Sequence, residues 1–332
     1  MVSRTAQFSQ RHSAAALALL ASCALARADG CGTAQDAGRQ TLIIPSAGVE
    51  RTALVYVPTT YHPNDRTPLV LDLHGSASDA NEQMDRSMWE RSAEMNGFIA
   101  AELQGALPAQ PSGWRWNVPG VTGPDGPNDE QYISDAIDAL ADRFCIDRSK
   151  VYASGYSGGA RMVAQFACDQ PEKLAAVALV AGIRAGLPKD SPNGPEPDPE
   201  TCKPSAPVRM VAFGGLADPV NPFADGGAPY WKYGVEKARA RWAAIDGCAS
   251  APAIETLSPN IERMTYRDCA PDAALVYYTV KNGGHVWPGS ASFLRQPKLG
   301  KVTFEINATD VMWDFFKDYS RETEQGRRVI VQ

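Results

Sequence analysis

Short runs of Val, Ile, Leu and Tyr alternate along the chain with longer segments in which apolar residues recur every three or four positions. Eight runs read as strands: 41–44, 51–57, 68–73, 98–103, 151–155, 175–180, 208–213 and 274–280. Most are predominantly apolar, and 175–180 is apolar throughout, as strands buried on both faces of a parallel sheet are. The clearest helical stripe lies in 130–144, where Ile133, Ala136, Ile137, Leu140, Ala141 and Phe144 share one side and would pack on the sheet. Further helices are predicted over 81–95, 158–168, 234–244 and 309–319. The first two strands read as a hairpin and the rest alternate with helices. The expected architecture is a mostly parallel, doubly wound α/β sheet with helices on both faces. Segment 187–207 is dense in Pro, Gly, Asp and Ser and reads as a long surface loop.

The first residues follow a different pattern. Arg4, Arg11 and His12 precede an apolar run over 14–25 that closes in small residues, which reads as a secretory signal peptide cleaved after Ala28. Leu20-Ala21-Ser22-Cys23 offers a second reading, a lipobox that would leave a lipidated Cys23 at the mature N-terminus. The run is shorter than the ~18 to 20 apolar residues of a membrane span, and no later segment approaches that length. With no internal repeat and no low-complexity linker, the expected organisation is a signal at 1–28, one domain over 29–320 and a flexible tail over 321–332. The mature protein is expected to be secreted or periplasmic, with a lipid anchor on Cys23 as the alternative.

Loss of residues 1–28 would leave 29 basic against 38 acidic side chains, a net charge of −9. An acidic surface argues against nucleic acid and anionic membranes as partners, and a monomer is expected. Six of the seven cysteines would remain: Cys31, Cys145, Cys168, Cys202, Cys248 and Cys269. An even number in an exported chain suggests three disulfides, and the fifteen possible connectivities stay open. Cys248–Cys269 is the favoured pair because it closes a short loop between a predicted helix and strand. There is no CxxC pair and the four histidines are scattered, so no metal site is expected.

Candidate chemistry begins at Gly155-Tyr156-Ser157-Gly158-Gly159, a GxSxG sequence between a predicted strand and a predicted helix. That context is the one a nucleophile elbow requires: the turn is so tight that side chains flanking the serine by two positions would strike neighbouring backbone. A serine hydroxyl becomes a useful nucleophile only when a histidine takes its proton and an acid orients that histidine. His12 would leave with the signal, His62 lies in a turn and His74 precedes the serine. His285 is the only histidine after Ser157, and the serine, acid, histidine order of α/β-hydrolases selects it. Asp218 follows a predicted strand after a short Gly-containing loop and is the expected acid, with Asp225 in reserve. The strand 68–73 runs into His74-Gly75-Ser76, so the backbone N–H groups of Ser76 and Gly158 are the expected oxyanion donors.

Four segments, LHGSASDA, YASGYSGGARM, FGGLADPVNPF and GGHVWPG, together resemble the secreted polyhydroxybutyrate depolymerase and feruloyl esterase family, which also holds acetylxylan esterases. The likeness runs from about Cys31 to Tyr319. It implies the α/β-hydrolase fold, a triad of Ser157, Asp218 and His285, an oxyanion donor at Ser76 and no cofactor. The family often has HG where this chain has Gly214-Gly215. By resemblance Trp287, beside the histidine, would help line the acyl or sugar subsite, and Trp114 and Trp116 could do likewise; core or loop packing is the competing reading for each.

The expected function is a serine carboxylic-ester hydrolase acting on feruloyl or acetyl esters of plant polysaccharide. A short-chain polyhydroxyalkanoate depolymerase is the alternative, although such secreted enzymes usually carry a linker and a polymer-binding domain. A peptidase or a non-catalytic binding protein on the same scaffold are remoter readings.

Overall fold

The computed structural model describes Met1, residues 29–123 and residues 125–321. The expected signal segment after Met1, with Cys23 in it, and the tail from 322 lie outside the described residues. Ten strands form one sheet: β1 (Gly38–Ser46), β2 (Val49–Val57), β3 (Thr67–Leu73), β4 (Ile99–Leu103), β5 (Ile146–Tyr156), β6 (Ala176–Val180), β7 (Arg209–Gly215), β8 (Ser250–Ser258), β9 (Ile261–Arg267) and β10 (Ala274–Val280). Their order across the sheet is β1-β2-β4-β3-β5-β6-β7-β10-β9-β8. The stretch from β4 to β10 is parallel. Antiparallel strands close both edges.

Each face carries its own apolar core because successive strand residues point to opposite sides. Leu69, Leu71 and Leu73 of β3 and Val151 and Ala153 of β5 pack with α3 (Asp129–Arg143), α4 (Gly158–Asp169) and α5 (Val235–Ile245). Val70 and Tyr152 face the other way, towards α1 (Ala80–Ser87), α2 (Trp89–Asn96) and α6 (Ala308–Phe316). The caps are local: Asp79 accepts from the Glu82 N–H, Asn128 from Gln131 and Asn307 from Thr309 and Asp310. Among the described residues no helix is long and apolar enough to cross a membrane.

The structure departs from the sequence reading in three places. The helix expected over 81–95 is two, broken at Met88, whose φ of 60° lies in the left-handed region. Met84 and Trp89 are both buried, yet on one continuous helix they would point roughly 140° apart; the break lets both meet the sheet. The span between Cys248 and Cys269, expected to be a short loop, is the hairpin of β8 and β9. Strand β8 is an exposed edge, so its residues carry no apolar alternation to read. The predicted helix 309–319 stops at Phe316. Segment 187–207 does run as a loop, stiffened by a two-residue ladder between Pro188–Lys189 and Glu196–Pro197.

Three disulfides join Cys31 to Cys145, Cys168 to Cys202 and Cys248 to Cys269. Cross-linking restricts the unfolded chain more as the closed loop lengthens. The bridge across 114 residues therefore restricts far more chain than the one across 21. Replacing Cys31 and Cys145 with Ser is expected to lower unfolding free energy by about 4–5 kcal/mol, against about 3 kcal/mol for the Cys248 and Cys269 pair. Equilibrium denaturation in guanidinium would rank the two; equal losses would contradict the loop-length argument.

Candidate active site

Strand β5 ends at Tyr156 and α4 begins at Gly158, leaving Ser157 alone to reverse the chain. It does so with φ 51° and ψ −108°, a conformation a non-glycine residue adopts only under strain of about 1–3 kcal/mol. A Cβ on Gly155 would lie 2.6 Å from the Gly159 carbonyl carbon, and one on Gly159 would overlap the Leu73 carbonyl. The two glycines let β3, β5 and α4 approach closely enough to hold the turn. Ser157 is also the N-cap of α4, yet its side chain does not cap the helix. Its hydroxyl is turned to His285 instead.

His285 Nε2 lies 2.8 Å from Ser157 Oγ, and His285 Nδ1 lies 2.7 Å from Asp218 Oδ2. With Nδ1–H donating to the carboxylate, Nε2 is left as an acceptor for the serine proton. The other Asp218 oxygen accepts from the Val220 and Asn221 N–H groups, both at 2.8 Å, which fixes the carboxylate plane. All three side chains are buried. Asp218 follows β7 and His285 follows β10, so both come from loops at the same end of the parallel strands as Ser157. Asp225 serves elsewhere: it accepts from Gly234 N–H and pairs with Lys237.

The Ser76 N–H sits 3.2 Å from the point a Gly158 Cβ would occupy, so these two residues adjoin. Among the described residues neither the Ser76 nor the Gly158 N–H has a protein acceptor. A cavity of about 540 Å³ opens over Ser76 and Ser157, lined also by His285, Trp116, Tyr156 and Arg161 among others. That volume suits a small organic group.

Residues 52–191 match the family described as Esterase PHB depolymerase. That match covers less than half of the chain and is a likeness over residues 52–191. It is 28% identical over 277 residues to feruloyl esterase B of Piromyces equi, covering 81% of this chain and 45% of that protein, so it spans less than half that relative's length. It is 29% identical over 268 residues to the putative esterase NocK of Nocardia uniformis subsp. tsuyamanensis, covering 75% of this chain and 73% of that one. The structure of an acetyl xylan esterase from Aspergillus awamori superposes with a TM-score of 0.56 at 19% identity, covering 78% of this chain and 98% of that one. The likeness is one of fold: a mostly parallel sheet with helices on both faces, as in α/β-hydrolases.

Beneath the serine turn lies a buried polar row. Glu102, Asp72 and Ser154 are register partners on β4, β3 and β5 and share one face. Asp72 accepts from Ser154 Oγ at 2.6 Å and from Gln83 Nε2 at 2.8 Å, Ser87 Oγ donates to Glu102 at 3.1 Å, and the Trp89 indole donates to Ser154 at 2.9 Å. Burial pushes Asp72 up to about 6, and burial plus the Asp72 charge pushes Glu102 well above the usual carboxylate range. One proton held between the two carboxyls accounts for this, with Glu102 as donor. His74, the histidine excluded by chain order, is part of the scaffold. Its Nδ1–H donates to the Gly75 carbonyl and its Nε2 accepts from the Gly105 N–H, and burial lowers it to about 4.

The tryptophans divide. Trp116 is on the cavity wall, nearly buried, with its indole donating to the His74 carbonyl. Trp287 is fully buried in the core beside α6, donates to Thr309 Oγ1 at 3.0 Å and does not line the cavity. The subsite role expected for Trp287 is corrected accordingly: it anchors the His285 loop. Trp114 is also off the cavity; its backbone pairs with Ala77 and Ser78 while its ring stays exposed.

Two contributors escaped the sequence reading. Tyr156, the variable position of GxSxG, donates its hydroxyl to the His285 carbonyl at 2.7 Å, and Asn221 ties the Asp218 loop to Ala181. Arg161 is a third. The residue is 97% buried, with Nε and Nη1 unpartnered, and the only signal in the sequence is an arginine inside a largely apolar helical stretch.

Both members of the carboxyl pair bind protons more tightly folded than unfolded. Between about pH 4 and 6 the native state therefore holds more protons, and stability from this pair falls as pH rises. Glu102→Gln keeps a donor for Asp72 without the titration. The variant is expected to match the parent at pH 4.5 and exceed it by about 1–3 kcal/mol at pH 8. Urea midpoints at the two pH values measure this, and a parallel shift at both would refute the shared proton.

Proposed function

We propose that the chain is a serine carboxylic-ester hydrolase acting through an acyl-enzyme, with Ser157 as nucleophile, His285 as general base and acid, and Asp218 orienting the histidine. The observation that carries this reading is the continuous hydrogen-bonded relay from Asp218 to Ser157, which lines a cavity together with Ser76. Ser157 Oγ attacks the ester carbonyl as its proton passes to His285 Nε2. The carbonyl oxygen gains charge next to the Ser76 and Gly158 N–H groups. Collapse breaks the bond to the alcohol, which leaves with the proton from His285. Water then enters and gives a proton to His285 Nε2 as its oxygen bonds the acyl carbon, and collapse releases the acid as His285 returns that proton to Ser157 Oγ. Preorganised amide donors commonly lower such a barrier by about 3 kcal/mol each.

The proposed substrates are feruloyl or acetyl esters of plant polysaccharide, in keeping with the names of the feruloyl and acetylxylan esterases that the chain resembles. Depolymerisation of poly(3-hydroxybutyrate) is the second reading, favoured by the family match over 52–191. Three disulfides suit an oxidising compartment, which supports an exported catalytic domain over 29–320 behind a signal at 1–28.

The mature protein is expected to hydrolyse p-nitrophenyl acetate and to clear either methyl ferulate and acetylated xylan or a polyhydroxybutyrate film. Ser157→Ala is expected to lose at least about 10³-fold in kcat, and Asp218→Asn about 10⁴-fold through the wrong histidine tautomer. Residual activity in Ser157→Ala equal to that of the parent would sink the assignment, and film clearing without polysaccharide deacylation would select the second reading.

A further inference from the structure

The cavity over Ser157 is cationic although the chain as a whole is acidic. Arg86, Arg115 and Arg161 line it, and among the described residues no carboxylate does. Arg86 is engaged by Glu82 at 2.8 Å and by Ser78 Oγ at 2.7 Å. Arg161 is not engaged. It lies one helical turn after Ser157, 97% buried, and its Nε and Nη1 have no hydrogen-bond partner. Its Nη2 stands 3.6 Å from the point a Gly158 Cβ would fill, on the same side as the Ser76 N–H. Its nearest compensation is the face of Tyr230, 4.7 Å from the guanidinium carbon. A second buried cation, Arg184, lies close enough to disfavour its charge and leaves Nη1 and Nη2 unpartnered as well. Burial and this neighbour lower Arg161 to about 10, so it stays cationic at neutral pH.

A buried guanidinium without an anionic partner is an unfavourable state that an anion in the cavity relieves, because a carboxylate accepts a charge-assisted N–H bond from the nitrogen that is not shielded, Nη2. We propose that Arg161 reads a carboxylate on the substrate, so that the preferred ester carries a carboxylate a few bonds from its scissile carbonyl. The inference rests on the esterase reading above and deepens it. The short reach follows from Arg161 bordering the proposed oxyanion donors: a group bound there sits close to the reacting carbonyl. Two sources share this chemistry, the free acid end of a linear hydroxy acid oligomer and the carboxylate of an O-acetylated uronate.

The test pairs each acid with its neutral twin: the 3-hydroxybutyrate dimer against its methyl ester, and methyl 4-O-acetylglucuronoside against the corresponding glucoside. In the parent, kcat/KM is expected to be at least about tenfold higher for the acid in one pair, which also identifies the source; this corresponds to about 1.4 kcal/mol of discrimination. In Arg161→Gln that ratio is expected to collapse to about one, and Arg161→Lys should retain part of it. No preference in the parent for either acid overturns the proposal without any variant. A preference that survives Arg161→Gln overturns it too, as does a loss equal for acid and twin, which would mark a structural or oxyanion role. Should the parent hydrolyse no ester, p-nitrophenyl acetate included, the esterase reading itself fails; activity on neutral esters with no acid preference sinks this inference alone.

Discussion

The rest of the site depends on one turn. Ser157 must reverse the chain between a buried central strand and a buried helix within a single residue, at φ 51°. Only close approach of three elements holds a non-glycine residue there, and that approach is possible because Gly155 and Gly159 present no side chain to Gly159 and Leu73. The same strain frees the chemistry. A serine at a relaxed N-cap would bond its hydroxyl to the first helical amides. Here the hydroxyl points to His285 and the Gly158 N–H is left without a protein acceptor.

A strained turn needs a rigid foundation, and the row of Glu102, Asp72 and Ser154 lies two to four residues below it on three neighbouring strands. Asp72 precedes His74-Gly75-Ser76, and Ser154 precedes Gly155-Tyr156-Ser157. The side-chain bonds of the row therefore lock the register of the very strands that deliver the Ser76 loop and Ser157. Gln83 and Trp89, from the two short helices, complete it. This gives the Met88 break a structural purpose beyond burial, since a straight helix could not bring both donors to the sheet. Buried polar networks specify a geometry at some cost in stability, and the two apolar cores and three disulfides offset it.

The parallel sheet was legible because its strands are apolar on both faces, and Ser157, Asp218 and His285 were legible because chain order and scarcity of histidine left few choices. What escaped notice obeyed other physics. The hairpin Ser250–Ser258 and Ile261–Arg267 is an exposed edge, where backbone pairing needs no apolar alternation. The helix break at Met88 depends on which partners lie across the sheet, which no local window contains. Trp287 was drawn towards the substrate by its place beside His285, but adjacent residues on an irregular loop can face opposite ways, and its indole turns to Thr309. Arg161 lies in a helix whose neighbours read as core, and nothing local distinguishes a cation that faces a cavity from one that snorkels outward.

The position of Arg161 shows why net charge is a poor guide to a site. A formal charge of −6 describes what a distant partner meets through screened water. Within the cavity, solvent is thinned and distances are a few ångströms, so each fixed charge outweighs the many on the surface. There the local count reverses sign: three arginines on the wall, and the carboxylate of Asp218 already committed to His285. The field at the scissile bond is thus favourable to an anion both in the reacting oxygen and in any acidic group held beside it.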